Sequence, residues 1–199
     1  MPTAAPDGTG LFLKRWLRQP FAMGAVVPSG RLLAEAIART TLDVMADRPG
    51  HVIELGAGTG EVTKALLAAR IDPHRLALVE RDAELARFLR GHFPGPKIIE
   101  GDAARLQHLL AGHGVREVAA VVSSLPLLSL PAEVVNGIVE GAFEAMPPGG
   151  ALVQFTYGPK PPVPRALRER LNLFGTSSKR IWRNVPPAVV WTFRRQSAA

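Results

Sequence analysis

The sequence predicts an α/β fold: a mostly parallel, doubly wound sheet flanked by helices and closed by a late antiparallel hairpin. Three observations predict it. Short apolar runs alternate with helical patterns through the middle of the chain, as parallel strands joined by crossover helices require. The first run leads directly into a glycine-rich turn, Gly56-Ala57-Gly58-Thr59-Gly60, that opens a helix. The last two runs have prolines but no helix between them.

The elements follow in order. Residues 1–10 read as a disordered tip, and LFLKRWLRQ (11–19) as a short amphipathic helix closed by Pro20. Ser29 is a plausible N-cap for a second helix from about Arg31 to Arg39 or slightly beyond. Strands are predicted at HVIEL (51–55), RLALVE (75–80), KIIE (97–100), VAAVVSS (118–124) and ALVQFTY (151–157). Helices are predicted between and after them at 61–69, 83–92, 103–112 and 132–146. PRALRERLNLF (164–174) reads as a further helix, with Leu167, Leu171 and Phe174 on one face. KRIWRNV (179–185) and AVVWTFRR (188–195) then read as the two arms of the hairpin, separated by Pro186 and Pro187.

These elements make one domain, residues 31–199, preceded by a helix and connector at 1–30. A chain of 199 residues that is 47% hydrophobic and 21% charged can bury a sizeable core. It contains no cysteine, which excludes disulfides and thiolate chemistry and fits a reducing cytoplasm. The expected setting is soluble, since the N-terminus lacks the regions of a signal peptide and no run is long enough to span a membrane. The five histidines have no metal-ligand spacing, and no metal is expected. Charge is unevenly placed: residues 1–31 carry four Lys/Arg against Asp7, and residues 160–199 carry nine against Glu169. The centre carries 11 basic and 15 acidic residues. An acidic centre suits a cationic ligand, and basic ends suit an anionic partner such as nucleic acid or a membrane surface.

The chemistry concentrates at the strand ends. Glycines let a backbone turn sharply and approach a ligand, and a helix start presents free N–H groups. Here the spacing is G-x-G-x-G, with Glu54 two positions before Gly56. A carboxylate there would repel a pyrophosphate but suits a sulfonium cation bearing an ammonium group. The segment Glu54 to Gly60 thus resembles motif I of S-adenosylmethionine (SAM)-dependent methyltransferases, and the late hairpin resembles the close of their Rossmann-like class I fold. Glu80, at the end of the second strand, is placed to hold ribose hydroxyls, although a strand-end acid can equally be a plain surface group. The resemblance implies an adenine contact for Asp102, after the third strand. Arg81 and Ala103, beside these acids, and Ser123, at the end of the fourth strand, complete the expected cofactor contacts with Ala57, Gly58 and Thr59.

The fourth strand ends in Ser123-Ser124-Leu125-Pro126. Enzymes that methylate the adenine amine carry Asn or Asp first and an aromatic last in this place, to grip a flipped base. Serine and leucine here remove both groups. Four segments, FLKRWLRQPFAMGAVVPSGRLLA, VIELGAGTGEVTKALL, SSLPLLSLP and QFTYGP, resemble the soluble bacterial phospholipid N-methyltransferases, relatives of the ribosomal RNA adenine dimethylases. The resemblance covers roughly residues 11–195 and implies SAM-dependent methylation of phosphatidylethanolamine toward phosphatidylcholine.

That function implies a peripheral enzyme at the inner face of the membrane, with a phospholipid bilayer as partner and no nucleic acid. Phe12, Leu13, Trp16 and Leu17 on one side of the first helix and Lys14, Arg15 and Arg18 on the other suit an anionic interface; packing on the domain would suit them too. Lys179 and Arg180 are candidates for the lipid phosphate, or are charges of a solvated edge strand. Tyr157 is expected to orient the headgroup, by its hydroxyl or by cation–π contact, unless it merely caps the core. Ser124, Ser123 or a nearby carbonyl is a candidate acceptor from the amine. An RNA or DNA amine methyltransferase, and a SAM-binding protein without catalysis, remain the alternatives.

Overall fold

The computed structural model describes residues 28–46, 48–158 and 160–196. The helix expected at 11–19, with Phe12, Lys14, Arg15, Trp16, Leu17 and Arg18, lies outside the described residues. A seven-stranded sheet runs through the molecule: β1 (His51–Leu55), β2 (Leu76–Glu80), β3 (Lys97–Glu100), β4 (Val118–Ser123), β5 (Ala151–Thr156), β6 (Leu173–Ser177) and β7 (Val189–Arg195). The strand order is β3-β2-β1-β4-β5-β7-β6. The first five strands are parallel, and β7 is antiparallel to both β5 and β6. The expected mostly parallel, Rossmann-like sheet with a closing hairpin is therefore present.

Helices cover both faces. One apolar layer joins α1 (Pro28–Met45), α2 (Glu61–Ala68) and α3 (Ala83–His92) to side chains such as Val52, Leu78, Val122 and Val153. The other joins α4 (Leu106–Gly112), α5 (Ala132–Ala145) and α6 (Arg165–Arg170) to Ile53, Val79, Val121 and Leu152. Burial on both faces explains why β2 and β4 read as nearly continuous apolar runs. Asp82 caps α3 by accepting from the Glu84 and Leu85 amides at 2.9 and 3.3 Å. Among the described residues no helix is long and apolar enough to cross a membrane.

Three expectations need correction. The second helix starts at Pro28 rather than Arg31 and runs to Met45. Proline lacks an N–H that the first turn does not need, and the buried series Leu33, Ile37, Thr41, Val44 and Met45 keeps one face inward beyond Arg39. Ser29 therefore falls in the first turn rather than before it. The run 164–174 is helical only to Arg170: Asn172 adopts a left-handed φ of 53° and stops the helix. Leu173 and Phe174 then begin β6, so Phe174 leaves the predicted helical face and is partly exposed.

The third correction follows from the second. The first arm of the hairpin is Leu173–Ser177, and 179–185 forms its tip, tied down by an isolated Ile181–Ala188 bridge. Residues 179–185 are therefore not the strand that the sequence predicts. The Arg180 guanidinium instead lies over the Trp182 ring, 5.2 Å from its centre.

Candidate active site

The order of strands reverses between β1 and β4, so the carboxyl ends of these neighbours open a crevice where α/β sheets bind ligands. The turn after β1 is shaped by close approach. Gly56 has a φ of 72°, and a Cβ there would stand 2.5 Å from Leu125 Cδ2. Gly60 has a φ of 82°, and its Cβ would meet the Phe93 ring at 2.4 Å. Only glycine fits either position.

Three carboxylates stand on β1, at the end of β2 and just after β3. Glu80, almost fully buried, accepts from the Gly58 amide through Oε2 and from the Asp82 amide through Oε1, both at 2.9 Å. It thereby ties the end of β2 to the glycine turn. Each of its oxygens keeps a further lone pair for another donor. Asp102 Oδ1 accepts from the Ala104 amide at 3.0 Å, and its Oδ2 lies 3.9 Å from Arg81 Nη1, both side chains being partly exposed. Ala103 is buried beside it, and Thr59 is half-buried in the turn.

Glu54 is the most perturbed group. It is wholly buried on β1 and accepts from Thr63 Oγ1 at 2.6 Å through Oε2. Its Oε1 has no partner among the described residues. Burial pushes its pKa up to about 8; the Thr63 hydrogen bond opposes the rise, and the Glu80 charge adds to it. A buried acceptor left open beside a glycine turn is costly unless a donor arrives. A ligand carrying an ammonium group would meet that need, and a neighbouring sulfonium charge would favour the ionised carboxylate, so the residues present fit SAM.

Beyond β4 the chain passes over β1 and β5. The Ser124 amide donates to the Leu55 carbonyl at 2.9 Å, and Ser123 Oγ accepts from the Leu125 amide at 3.3 Å. The Ser124 hydroxyl is buried without a partner among the described residues. Next to it lies a cavity of about 170 Å³ lined by Leu125, Pro126, Leu127, Leu128, Phe155 and Tyr157, among others. Tyr157 follows β5, packs edge-on against Phe155 at 5.4 Å, and has a pKa raised by partial desolvation. Ser123 and Ser124 are not in the lining of this cavity; they precede it in the same turn. The structure thus ties the glycine turn to Glu80 through the Gly58 amide, holds Glu54 on Thr63, pairs Arg81 with Asp102, and sets Tyr157 on the cavity. Lys179 and Arg180 stand apart on the hairpin tip.

One buried polar residue carried no role in the sequence reading. Gln154, on β5, donates through Nε2 to the carbonyls of Leu125 at 3.0 Å and Phe155 at 2.9 Å. Its Oε1 is unpartnered. It therefore braces both walls of the cavity, and the signal for it was a lone amide inside the apolar strand ALVQFT. Gln154→Leu should leave two carbonyls without this donor and lower stability by about 1–3 kcal/mol; the shift in urea midpoint at constant slope checks this.

No family model matches the chain. It is 32% identical over 153 residues to the ornithine lipid N-methyltransferase of Singulisphaera acidiphila, covering 75% of this chain and 78% of that protein. It is 42% identical over 105 residues to ribosomal RNA small subunit methyltransferase A of Anaeromyxobacter dehalogenans. That match covers 46% of this chain and only 35% of the relative. The crystal structure of the 1,6-didemethyltoxoflavin-N1-methyltransferase of Burkholderia thailandensis superposes with a TM-score of 0.64 over 98% of this chain and 93% of its own, at 16% identity. The sheet order, the glycine turn, the three acids and the extended match to a lipid methyltransferase agree: the chain belongs to the class I SAM-dependent methyltransferases.

Proposed function

We propose that this methyltransferase transfers methyl groups from SAM to the primary amine of a membrane lipid headgroup, phosphatidylethanolamine, in one or more steps toward phosphatidylcholine. The observation that carries this reading is the acceptor cavity. Its lining is mostly apolar; within it Leu127 stands where a base-stacking aromatic would be needed, and in the turn before it Ser124 stands where a base-gripping amide would be needed. Tyr157, packed edge-on against Phe155, supplies an aromatic face to the lining. The extended similarity to a protein named for ornithine lipid supports a lipid amine as acceptor and makes ornithine lipid the first other headgroup to try. A second reading, methylation of an adenine amine in RNA, draws on the shorter match to ribosomal RNA methyltransferases.

In this reading Glu54, Gly56, Ala57, Gly58, Thr59 and Gly60 hold the charged end of SAM. Glu80 and Arg81 face its ribose, Asp102 and Ala103 its adenine, and Ser123 the wall beside it. The bound cofactor supplies an electrophilic methyl group on a positively charged sulfur. The chain's task is chiefly to align a neutral amine behind that methyl. A free primary amine titrates at roughly 10, so one proton must leave, to water or to a group of the site, before transfer. The unpartnered Ser124 hydroxyl can accept a hydrogen bond from the amine and aim its lone pair. The Tyr157 ring can hold the cationic product through its face. Lys179 and Arg180 are assigned to the lipid phosphate.

Residues 1–30 are assigned to membrane contact and residues 31–199 to catalysis at the inner face of the membrane. Removing residues 1–20 should weaken binding to anionic vesicles by at least about tenfold, since Lys14, Arg15 and Arg18 each contribute on the order of 1 kcal/mol; full vesicle binding by the shortened protein in a sedimentation assay would contradict this assignment. The acceptor itself is tested by producing the chain in a bacterium whose membrane lacks phosphatidylcholine and weighing its lipids by mass spectrometry. Phosphatidylethanolamine heavier by one, two or three methyl substitutions is expected. An unchanged lipid profile with newly methylated RNA would contradict it.

A further inference from the structure

The pairing of the last strands places their turn on a particular edge. Thr156, ending β5, pairs with Val189, beginning β7, while Ser177, ending β6, pairs with Trp191. The connection 178–188 therefore projects from the edge where the parallel strands end, the edge that carries the acceptor cavity. On that edge stand the four most exposed large apolar side chains among the described residues: Val185 (75%), Trp182 (71%), Leu128 (55%) and Tyr157 (43%). Leu128 and Tyr157 line the cavity, and Trp182 and Val185 sit on the turn.

This turn is built rather than loose. The Ile181 amide donates to the Ala188 carbonyl at 2.8 Å, and the Asn184 amide to the Ile181 carbonyl at 3.2 Å. Asn184, almost fully buried, donates through Nδ2 to the Pro186 carbonyl at 2.6 Å. Trp182 and Val185 flank this anchored residue and point outward. Lys179, Arg180 and Arg183 surround them, and no acidic residue follows Glu169 in the sequence. None of the three cations has an ion-pair partner among the described residues.

An exposed tryptophan among cations is the mixture that settles at an anionic lipid interface, with the ring in the headgroup layer and the charges on the phosphates. We propose that the turn between β6 and β7 is a membrane-docking tip: Trp182 and Val185 enter the interface of an anionic bilayer, Lys179, Arg180 and Arg183 meet its phosphates, and the cavity mouth is thereby seated on the membrane. The proposal rests on the lipid-amine reading and adds a second contact to the one assigned to residues 1–30. With both contacts made, a headgroup amine reaches Tyr157 and Ser124 without the lipid leaving the bilayer.

The test uses the full chain carrying Trp182→Ser and Val185→Ser together, two exposed changes that leave the core intact. Affinity for vesicles of phosphatidylglycerol and phosphatidylethanolamine should fall at least about tenfold, as expected on losing two interfacial apolar anchors. Methyl transfer to phosphatidylethanolamine in those vesicles should fall with it. Transfer to a short-chain, monomeric phosphatidylethanolamine should stay at the wild-type rate. Unchanged vesicle affinity would overturn the proposal, as would an equal loss on the monomeric lipid, which would place the turn inside the reaction site. Weakened RNA binding with vesicle binding intact would also overturn it and give the turn to nucleic acid. If the wild-type protein methylates no lipid in either form, the lipid-amine reading fails, whereas the docking proposal is decided by vesicle affinity alone.

Discussion

Glu80→Ala is expected to weaken SAM binding about a hundredfold or more while leaving the sheet folded. The Glu80 carboxylate accepts from the Gly58 and Asp82 amides, so its loss frees both ends of the crevice at once. Hydrogen bonds to a charged group contribute about 1.5–3 kcal/mol each, and 1.4 kcal/mol is about a factor of ten. Two such bonds, together with the ribose contact assigned to this side chain, set the size of the effect. Glu80→Gln should fall between wild type and Ala: its single carbonyl oxygen can accept from only one of the two amides, and its NH₂ would face the other donor. Isothermal titration with SAM measures the affinities, and far-ultraviolet circular dichroism checks the fold. Wild-type affinity in Glu80→Ala would remove Glu80 from the site.

SAM binding should also release close to one proton near pH 7 and should tighten as the pH rises toward 8. Glu54, raised by burial to about 8, is protonated at neutral pH before a cation arrives and ionised after. Below about pH 8 the cofactor must displace that proton, so affinity should increase by up to about tenfold per pH unit between 6 and 8. Heats of binding in buffers with different ionisation enthalpies count the proton. A stability effect of opposite sense accompanies it. In the unfolded chain this carboxyl ionises near its ordinary value of 4.5, so between about 4.5 and 8 the folded state binds more protons than the unfolded one. Its contribution to stability therefore declines as the pH rises through that window and levels off above it. Glu54→Gln should abolish both dependences, binding SAM weakly at every pH and gaining stability relative to wild type at pH 8. A SAM affinity independent of pH in the wild-type protein would contradict the role given to Glu54.

The five parallel strands were legible because parallel strands covered on both faces are short apolar runs, and each here ends at a glycine, an acid or a serine pair. The glycine turn was legible for a related reason: a Cβ at Gly56 or Gly60 has no room against Leu125 or Phe93, and such crowding leaves glycines at fixed spacing. The end of the chain misled because Leu167, Leu171 and Phe174 keep helical spacing while a single left-handed Asn172 divides them. Periodicity does not register one backbone dihedral. The misplaced hairpin arm then followed, since Trp182 and Ile181 look like strand residues when their exposure is unknown.

At the site, residue types were readable but partners were not. Glu80 read as a ribose ligand, while the structure also makes it the tie between two turns. Gln154 passed without a role because its meaning lies in contacts with Leu125 and Phe155, one of them 29 residues distant. The exposure of Trp182 and Val185 had no sequence signal at all, since an apolar residue in a proline-rich turn is as readily buried as not.

The most direct test of the account is transfer of labelled methyl from SAM by the purified full chain, with phosphatidylethanolamine vesicles, ornithine lipid vesicles and ribosomal RNA offered in parallel and the products separated. The account predicts label in mono-, di- or trimethylated lipid, with phosphatidylethanolamine the preferred acceptor and no label in RNA. Label confined to ornithine lipid would keep the lipid amine and change the headgroup. Label in RNA alone would contradict the account.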